Sequence, residues 1–159
     1  MAKEKYPITP AIRFLKEHQI AFVPHEYEYK QKGTKGSSHA LGIAEHQIIK
    51  TLVMEDEQKA PLLILMHGEK EVSTKNLARI LGKKNISPVT PENLTKHTGY
   101  QPGGTSPFGT RKALPVYVEK SILELPKIWI NGGKRGFLVE ISPEVLLKAL
   151  HATEVEVGI

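Results

Sequence analysis

Apolar residues recur along the chain with two different spacings, and turn-forming residues separate the segments that show them. A spacing of three to four residues, typical of a helix with one buried face, follows four sites that offer a Ser or Thr as N-cap. These sites are Thr9-Pro10, Ser73, Thr90-Pro91 and Ser142-Pro143. A further short helix is predicted through "HALGI", with Ser37 or Ser38 as its N-cap.

Extended segments lie between these helices. They are rich in β-branched and aromatic residues and are bounded by turn-forming residues, as strands usually are. The predicted strands are "AFVPHEYEY", "IIKTLVM", "PLLILMH", "NISPVT", "PVYVEK", "KIWI", "FLVEI" and "TEVEV". "KIWI" and "FLVEI" are expected to form a hairpin around "NGGKRG". Because strands and helices do not alternate strictly, the chain is predicted to be an α+β domain with a largely antiparallel or mixed sheet.

The composition indicates one soluble globular domain over residues 1–159. Hydrophobic residues make up 40% and charged residues 25% of the chain, and no Pro-, Gly- or Ser-rich linker divides it. No apolar run approaches the roughly 20 residues of a membrane helix, and the N-terminus lacks a signal-peptide core. The absence of cysteine excludes disulfides and thiolate chemistry. A cytoplasmic location without membrane contact is therefore expected.

The charge and the histidines narrow the chemistry. A net charge of +5 favours a polyanionic partner, nucleic acid first, although a basic but merely solvated surface would give the same value. The seven histidines lack the spacing of metal ligands, and no Walker loop, GxGxxG or HExxH motif is present. Neither a metal nor a cofactor is predicted.

Lys50 stands out because it interrupts the apolar strand "IIKTLVM". A buried ammonium is costly, so a fold that keeps one usually pairs it or uses it. Three interpretations are open: a guard against aggregation on an edge strand, a fixed cation for a carbonyl oxygen or phosphate, and a Schiff-base lysine. The apolar residues on both sides indicate a covered strand and favour a functional lysine.

Two glycine-rich segments are further candidates. In "TGYQPGGTSPFG", Gly103 and Gly104 would let the backbone approach a ligand, and successive N–H groups would bind an anion or a developing oxyanion. In "NGGKRG", Gly132 and Gly133 would let a phosphate approach the two cations that follow. An ordinary surface turn and an ordinary hairpin turn are the structural alternatives.

Taken together and in this order, the "KTL" strand, "TGYQPGGTSPFG" and "GGKRG" resemble the YbaK/EbsC family of aminoacyl-tRNA deacylases. The resemblance covers nearly the whole chain. The family is also similar to the editing domain inserted in bacterial-type prolyl-tRNA synthetases. Its members remove wrongly attached amino acids from tRNA, often tRNA for proline, and the YbaK branch clears cysteine. The resemblance implies a mixed, barrel-like sheet with helices packed outside it.

The resemblance also implies a site. Lys50 matches the lysine of the family's active site, and Tyr27 in "HEYEY" matches a pocket tyrosine. Leu138 departs from the pattern, because an aspartate is common at its position, and nothing marks Glu140 on the same strand face as a replacement. Contacts with the aminoacyl group are expected from the two glycine-rich segments, at Gly103, Gly104, Thr105, Ser106, Pro107, Gly132 and Gly133.

We therefore predict an aminoacyl-tRNA deacylase that acts in trans, with cysteinyl-tRNA for proline as the expected substrate. Backbone donors and a cation would stabilise the tetrahedral oxyanion, and either water or the substrate's own thiol would attack. Expected partners are the tRNA acceptor end and prolyl-tRNA synthetase. Contacts to tRNA phosphates are predicted for Lys83, Lys84, Arg111, Lys112, Lys134 and Arg135.

Two functions of other classes stay open on the sequence. One is a tRNA-binding or synthetase-binding module that has lost catalysis, and the missing aspartate at Leu138 favours it. The other is a Schiff-base enzyme that uses Lys50 on a small carbonyl compound.

Overall fold

The structure is a computed structural model that describes residues 5–159. Two short 3-10 helices, Glu45–Gln47 and Lys120–Glu124, accompany the α-helices. None of the helices in this part of the chain is long and apolar enough to span a membrane. The five α-helices are α1 (Pro10–Glu17), α2 (Thr34–Leu41), α3 (Thr74–Leu81), α4 (Pro91–Thr98) and α5 (Glu144–Leu150).

One mixed sheet holds the eight strands together. They are β1 (Val23–Glu26), β2 (Ile48–Asp56), β3 (Pro61–His67), β4 (Ile86–Pro88), β5 (Val116–Glu119), β6 (Ile128–Lys134), β7 (Phe137–Ile141) and β8 (Thr153–Val155). The strand order is β1-β7-β6-β2-β3-β5-β8, and β4 also pairs with β2. Four pairings are antiparallel and three are parallel. The α+β class and the mixed sheet are confirmed, but β1 and β8 do not pair within residues 5–159, so the sheet is not a closed barrel.

Alternating side chains bury both faces of this sheet. In β3, Leu63 and Leu65 belong to one hydrophobic cluster, whereas Leu62, Ile64 and Met66 belong to a second cluster. Successive side chains of a strand point to opposite faces, so the two clusters lie on the two sides of the sheet. A strand buried on both faces reads as a continuous apolar run, which explains why "PLLILMH" shows no polar alternation.

Local capping chemistry explains where three helices begin. The side-chain hydroxyls of Thr9, Ser73 and Thr90 each accept a hydrogen bond from the backbone N–H three residues later. This is the N-cap geometry that the sequence predicts. α3 and α4 end at Gly82 and Gly99, which adopt the left-handed conformation that glycine tolerates.

The start of α2 was predicted wrongly. Its N-cap is Gly33, with a φ of 80°, so Ser37 and Ser38 lie inside the helix. The first helical residue, Thr34, is held by hydrogen bonds from its hydroxyl to Glu45 and to the Gly68 carbonyl. These partners are distant in the sequence, so tertiary contacts set this helix boundary. The hydroxyl of Ser142 likewise caps no backbone N–H of α5 and donates to the Glu144 carboxylate at 3.0 Å.

Candidate active site

The backbone edge of β2 is uncovered over the middle of the strand. On the edge opposite β3, β6 pairs with Ile48 and Ile49, and β4 pairs with the last three residues of β2. Among residues 5–159, no strand pairs with this edge between those two stretches. A cavity of about 510 Å³ opens at this gap, and every residue from Ile48 to Met54 contributes to its wall. The gap in strand pairing therefore creates the cavity.

Lys50 lies half-buried in the wall of this cavity. β2 is interior in the strand order, although Lys50 lies in the stretch whose second edge is unpaired. The Lys50 Nζ donates a hydrogen bond to the backbone carbonyl of Lys70. Burial lowers the pKa of the Lys50 ammonium, while the charges of Glu71, Glu45 and Glu69 act to raise it. A neutral carbonyl holds the cation in place, so its charge stays available to a group in the cavity.

Thr51 adds polar groups to the same gap. The Val53 carbonyl accepts a hydrogen bond from the Val89 N–H at 3.2 Å on the uncovered edge. The N–H and C=O of one strand residue face the same edge and successive residues alternate between edges, so those of Thr51, two residues before Val53, face this edge as well. The Thr51 Oγ1 atom is buried and has no hydrogen-bond partner within residues 5–159. Sequence reasoning missed Thr51, and its position beside Lys50 was the only signal for it.

The loop between α4 and β5 contributes part of the predicted set. Gly103 and Thr105 line the cavity, together with Pro102. Gly104, Ser106 and Pro107 are not among the lining residues. The loop and Lys50 therefore border the same cavity, and the loop presents fewer residues to it than predicted.

The prediction that successive N–H groups of this loop point into the cavity is wrong for Gly104. Its N–H donates to the Gln101 carbonyl at 2.9 Å and is used within the loop. Ser106 is fully buried, and its hydroxyl accepts a hydrogen bond from the Phe108 N–H at 3.1 Å. These two residues stabilise the loop, because buried polar groups need such partners.

The glycines of the β6–β7 hairpin also lie outside the cavity wall. Gly132 and Gly133 form a bulge at which the register between β6 and β7 shifts. A Cβ atom on Gly132 would lie 2.6 Å from the Phe137 ring, and Gly133 has a φ of 100°. Packing and backbone conformation account for both glycines without a ligand. Their predicted contact with the substrate has no support in this geometry.

Asn131 joins the hairpin to the loop and lines the cavity. Its Oδ1 atom accepts hydrogen bonds from the N–H groups of Gly133 at 2.6 Å and Lys134 at 3.1 Å. Its Nδ2 atom donates to the carbonyls of Gly103 at 3.3 Å and Lys134 at 3.2 Å. One side chain thus fixes both the bulge and the loop that borders the cavity. The sequence analysis treated this asparagine only as part of a turn.

Tyr27 and Leu138 line the cavity on the side formed by β1 and β7. Burial raises the pKa of the Tyr27 hydroxyl, and a hydrogen bond with Ser37 acts against this shift. Leu138 is buried, so the position where the family commonly has an aspartate faces the cavity with an apolar side chain. Glu140 does not replace that aspartate, because it binds His25 at 3.0 Å and Lys127 at 3.1 Å outside the cavity wall.

None of the six cations predicted to bind tRNA lines the cavity. Arg135 lies near its rim: its Nε donates to the Pro102 carbonyl at 2.8 Å, and its guanidinium lies 5.8 Å from the centre of the Tyr29 ring. Lys134 belongs to the same turn, and the Gly104 backbone packs against it. These two residues of the predicted set are next to the site.

The other four predicted cations lie on different elements. Lys83 forms an ion pair with Asp56 at 3.1 Å, which compensates its charge locally. Lys84 follows it at the end of α3, and its backbone N–H donates to Glu57 at 3.1 Å. Lys112 Nζ donates to His97 Nδ1 at 3.3 Å, and the Arg111 N–H donates to the Thr98 carbonyl at the end of α4.

Two lysines that were not predicted lie closer to the cavity. Lys32 and Lys35 are exposed and flank Gly33 and Thr34, which line the cavity. The Lys- and Gly-rich string "KQKGTKGSS" was the available signal for them.

His46, His67 and Glu69 form a cluster behind the site, with ligand-type atoms within 4.8 Å of one another. His46 Nδ1 contacts Glu69 at 2.8 Å, while the two ring nitrogens of His67 contact the His46 carbonyl at 2.6 Å and Ser121 at 2.7 Å. The two rings stack at 3.8 Å with an angle of 5° between their planes. Their nitrogen lone pairs therefore lie in parallel planes and do not converge on one ion, so the cluster is a hydrogen-bonded network.

Comparison with known proteins identifies the family. The family model described as "Aminoacyl-tRNA editing domain" matches residues 32–149, which include the cavity-lining residues of β2 and of the loop. The chain belongs to this family of aminoacyl-tRNA editing domains. Members of this family act on aminoacyl-tRNA.

Two curated proteins are similar to this chain in sequence. A protein of Enterococcus faecalis named "Putative Cys-tRNA(Pro)/Cys-tRNA(Cys) deacylase EbsC" is 31% identical, over 99% of this chain and 98% of that protein. The proline–tRNA ligase of Thermodesulfovibrio yellowstonii is 31% identical over 77% of this chain, which spans 20% of that enzyme.

The fold is similar to that of solved structures over nearly its full length. A structure described as "a putative trans-editing enzyme for prolyl tRNA synthetase" superposes with a TM-score of 0.83 at 26% identity, covering 96% of this chain and 99% of that one. A hypothetical protein superposes with a TM-score of 0.87 at 21% identity, covering 94% and 99%. The second match shows the fold alone.

Proposed function

We propose that this chain is an aminoacyl-tRNA deacylase that acts in trans and clears cysteine from tRNA for proline. The observation that carries the proposal is Lys50, a half-buried cation held by a backbone carbonyl in the wall of a cavity of about 510 Å³. This volume falls within the roughly 300–1,000 Å³ of small-ligand sites. The name of the Enterococcus relative, which matches nearly the whole chain, supports cysteine on tRNA for proline as the substrate.

The site offers the groups that ester cleavage needs. Attack on the ester carbonyl turns its oxygen into an oxyanion, which nearby donors and cations stabilise more strongly than the uncharged ester. The Lys50 ammonium is the cation, and the backbone N–H of Thr51 is a candidate donor at the uncovered edge of β2. In this proposal, groups on β2 stabilise the oxyanion, whereas the sequence predicted that N–H groups of the glycine-rich loop would do so.

Either of two nucleophiles completes the reaction. If water attacks, a C–O bond forms first and gives the oxyanion, whose collapse then breaks the C–O bond to the ribose; the ribose oxygen takes up the proton that the water loses. If the thiol of the substrate attacks its own carbonyl, a C–S bond forms, the ribose leaves with the thiol proton, and water later opens the cyclic thioester. The thiol route needs no carboxylate from the protein, so it is compatible with Leu138 in the cavity wall.

The tRNA would reach the cavity across a basic rim. Lys32 and Lys35 flank lining residues on one element, and Lys134 and Arg135 border the loop on another. Cations on two sides of an opening attract a phosphate backbone and orient it. Prolyl-tRNA synthetase is a further proposed partner, because its editing domain is similar to this chain.

The test is a panel of mischarged tRNAs incubated with the purified protein, with release of each amino acid measured under single-turnover conditions. Rapid release of cysteine from tRNA for proline is expected, with slower release of larger amino acids. Binding of tRNA without any release would instead support a binding module that has lost catalysis. Trapping of Lys50 by borohydride with a small carbonyl compound, again without release, would support a Schiff-base enzyme.

A further inference from the structure

We propose that Glu71 binds the α-ammonium group of the aminoacyl ester while Lys50 faces its carbonyl. This inference rests on the proposed deacylase function and adds a residue that determines the substrate class. The esterified amino acid carries one positive group next to the carbonyl that is attacked. A site that holds this ester in one orientation therefore gains from one cation and one anion, each facing its opposite.

Glu71 is the only acidic residue among those that line the cavity in the described part of the chain. Its side chain is exposed, which places it at the cavity mouth, whereas Lys50 is half-buried. Glu71 directly follows Lys70, whose carbonyl accepts the hydrogen bond from Lys50 Nζ. The two charged residues thus line one cavity, and Lys50 is bonded to the residue that precedes Glu71.

The carboxylate of Glu71 is available. It makes no hydrogen bond or ion pair with another side chain within residues 5–159, and Lys50 is bonded to the Lys70 carbonyl instead. The neighbouring acidic residues are occupied: Glu69 contacts His46 at 2.8 Å, and Glu45 accepts a hydrogen bond from Thr34 at 3.0 Å. Glu71 is therefore the carboxylate that a cationic group in the cavity would meet.

The backbone of Glu71 is held in place by the C-terminal segment. Its N–H donates to the Ile159 carbonyl at 3.0 Å, and the Ile159 N–H donates to its carbonyl at 2.9 Å. That segment is itself anchored, because the buried carboxylate of Glu119 accepts hydrogen bonds from the N–H groups of Val157 at 2.7 Å and Gly158 at 2.9 Å. An exposed side chain on such a fixed backbone is suited to recognition.

The experiment compares two substrates that differ only at the α position. One is the aminoacyl-tRNA that the wild-type protein cleaves fastest, and the other is its α-hydroxy analogue, in which a hydroxyl replaces the ammonium. Glu71→Gln should lower kcat/KM for the aminoacyl ester by about three- to fivefold, the upper part of the range for an exposed charge contact. It should change kcat/KM for the hydroxyacyl ester by less than about twofold. For each ester, the kcat/KM of the variant is divided by that of the wild type. Comparing these two ratios cancels the intrinsic difference in reactivity between the esters.

Glu69→Gln is the matched control, because Glu69 carries the same charge two residues away but does not line the cavity. It should leave the preference for the aminoacyl ester unchanged, and Glu71→Asp should keep part of that preference. The inference would be overturned if Glu71→Gln affected both esters equally or affected neither. It would also be overturned if Glu69→Gln showed the same selective loss for the aminoacyl ester. A wild-type protein that cleaves neither ester would overturn the proposed deacylase function instead, so the two failures are distinguishable.

Discussion

At the scale of single residues, Lys50 is a half-buried charged group in the wall of the cavity. The pattern of apolar neighbours around it was enough to single it out, because a lysine between buried positions needs a partner or a use. The structure supplies the Lys70 carbonyl as partner and leaves the positive charge uncompensated by any direct ion pair within residues 5–159. A residue of this kind is retained at the expense of stability.

Lys50→Met should therefore stabilise the protein at neutral pH while removing the cation from the cavity. Burial lowers the pKa of Lys50 in the folded protein, so between that pKa and the ordinary value of about 10.4 the unfolded chain binds more protons. The stability of the wild type should consequently rise with pH through this window. The free energy of unfolding of Lys50→Met should therefore exceed that of the wild type most near pH 7, and this difference should shrink towards pH 10.

Urea unfolding at several pH values measures this difference, and each kcal/mol would correspond to about 2–4 °C in Tm. Lys75→Met on α3 is the control, because that lysine is exposed and outside the cavity wall. A stability difference that is absent at pH 7, or that grows with pH, would show that burial of Lys50 carries no cost.

Sequence reasoning at this scale reached Lys50 and Tyr27 but not Glu71, Thr51 or Asn131. Glu71 lies in a polar segment after β3, where nothing in the pattern separates it from the nearby Glu69. Only the fold shows which of the two lines the cavity. Charged residues in loops have no periodicity from which their direction can be predicted, and this limits what a sequence can say about a site.

At the scale of elements, the cavity depends on how the β6–β7 hairpin meets the loop before β5. Asn131 makes this contact through its Nδ2, which donates to the Gly103 carbonyl, while its Oδ1 accepts from Gly133 within the hairpin. Gly104 permits it, because a Cβ atom there would lie 2.8 Å from the Arg135 backbone nitrogen. The helix starts at Thr9, Ser73 and Thr90 were predictable since their signals are local, whereas this contact joins segments about thirty residues apart and has no local signal.

Substitution of Asn131 should separate its two functions. Asn131→Asp keeps an oxygen that accepts from Gly133 and Lys134 but cannot donate to the Gly103 carbonyl, so the bulge should persist while the loop loosens. Asn131→Ala loses both and should destabilise the protein by about 1–2 kcal/mol. Backbone hydrogen exchange over residues 101–105 and urea unfolding measure the two effects. Unchanged exchange in Asn131→Asp would show that the amide does not hold the loop.

At the scale of the whole molecule, the net charge of +5 pointed to a polyanion, but it could not show where the charges lie. Lys32 and Lys35 flank residues that line the cavity. The ion pair with Asp56 partly neutralises Lys83, which makes its predicted contact with a tRNA phosphate weaker. The mixed sheet was predictable from the order of the elements, whereas the gap beside β2 was not. That gap arises because β6 and β4 cover different ends of the same strand edge.

Binding of tRNA should therefore depend on the rim more than on the total charge. The double variant Lys32→Glu/Lys35→Glu should weaken tRNA binding and reduce the slope of log affinity against log salt by about 1.4, since each contact with a single strand contributes about 0.7. Lys75→Glu/Arg79→Glu on α3 makes the same change in charge, and α3 contributes no residue to the cavity wall. Equal losses in the two double variants, measured by filter binding from low to moderate salt, would refute the proposed rim.

The most direct measurement is single-turnover release of cysteine from mischarged tRNA for proline by the wild type, Lys50→Ala and Lys50→Arg. Removing one preorganised group that stabilises an oxyanion lowers a rate by roughly 100- to 1,000-fold, so Lys50→Ala should lose nearly all release while its circular dichroism is unchanged. Lys50→Arg should also be slow, because a planar guanidinium cannot replace a compact ammonium in this wall. Release at close to the wild-type rate by folded Lys50→Ala would contradict the assignment of the cavity as the catalytic site.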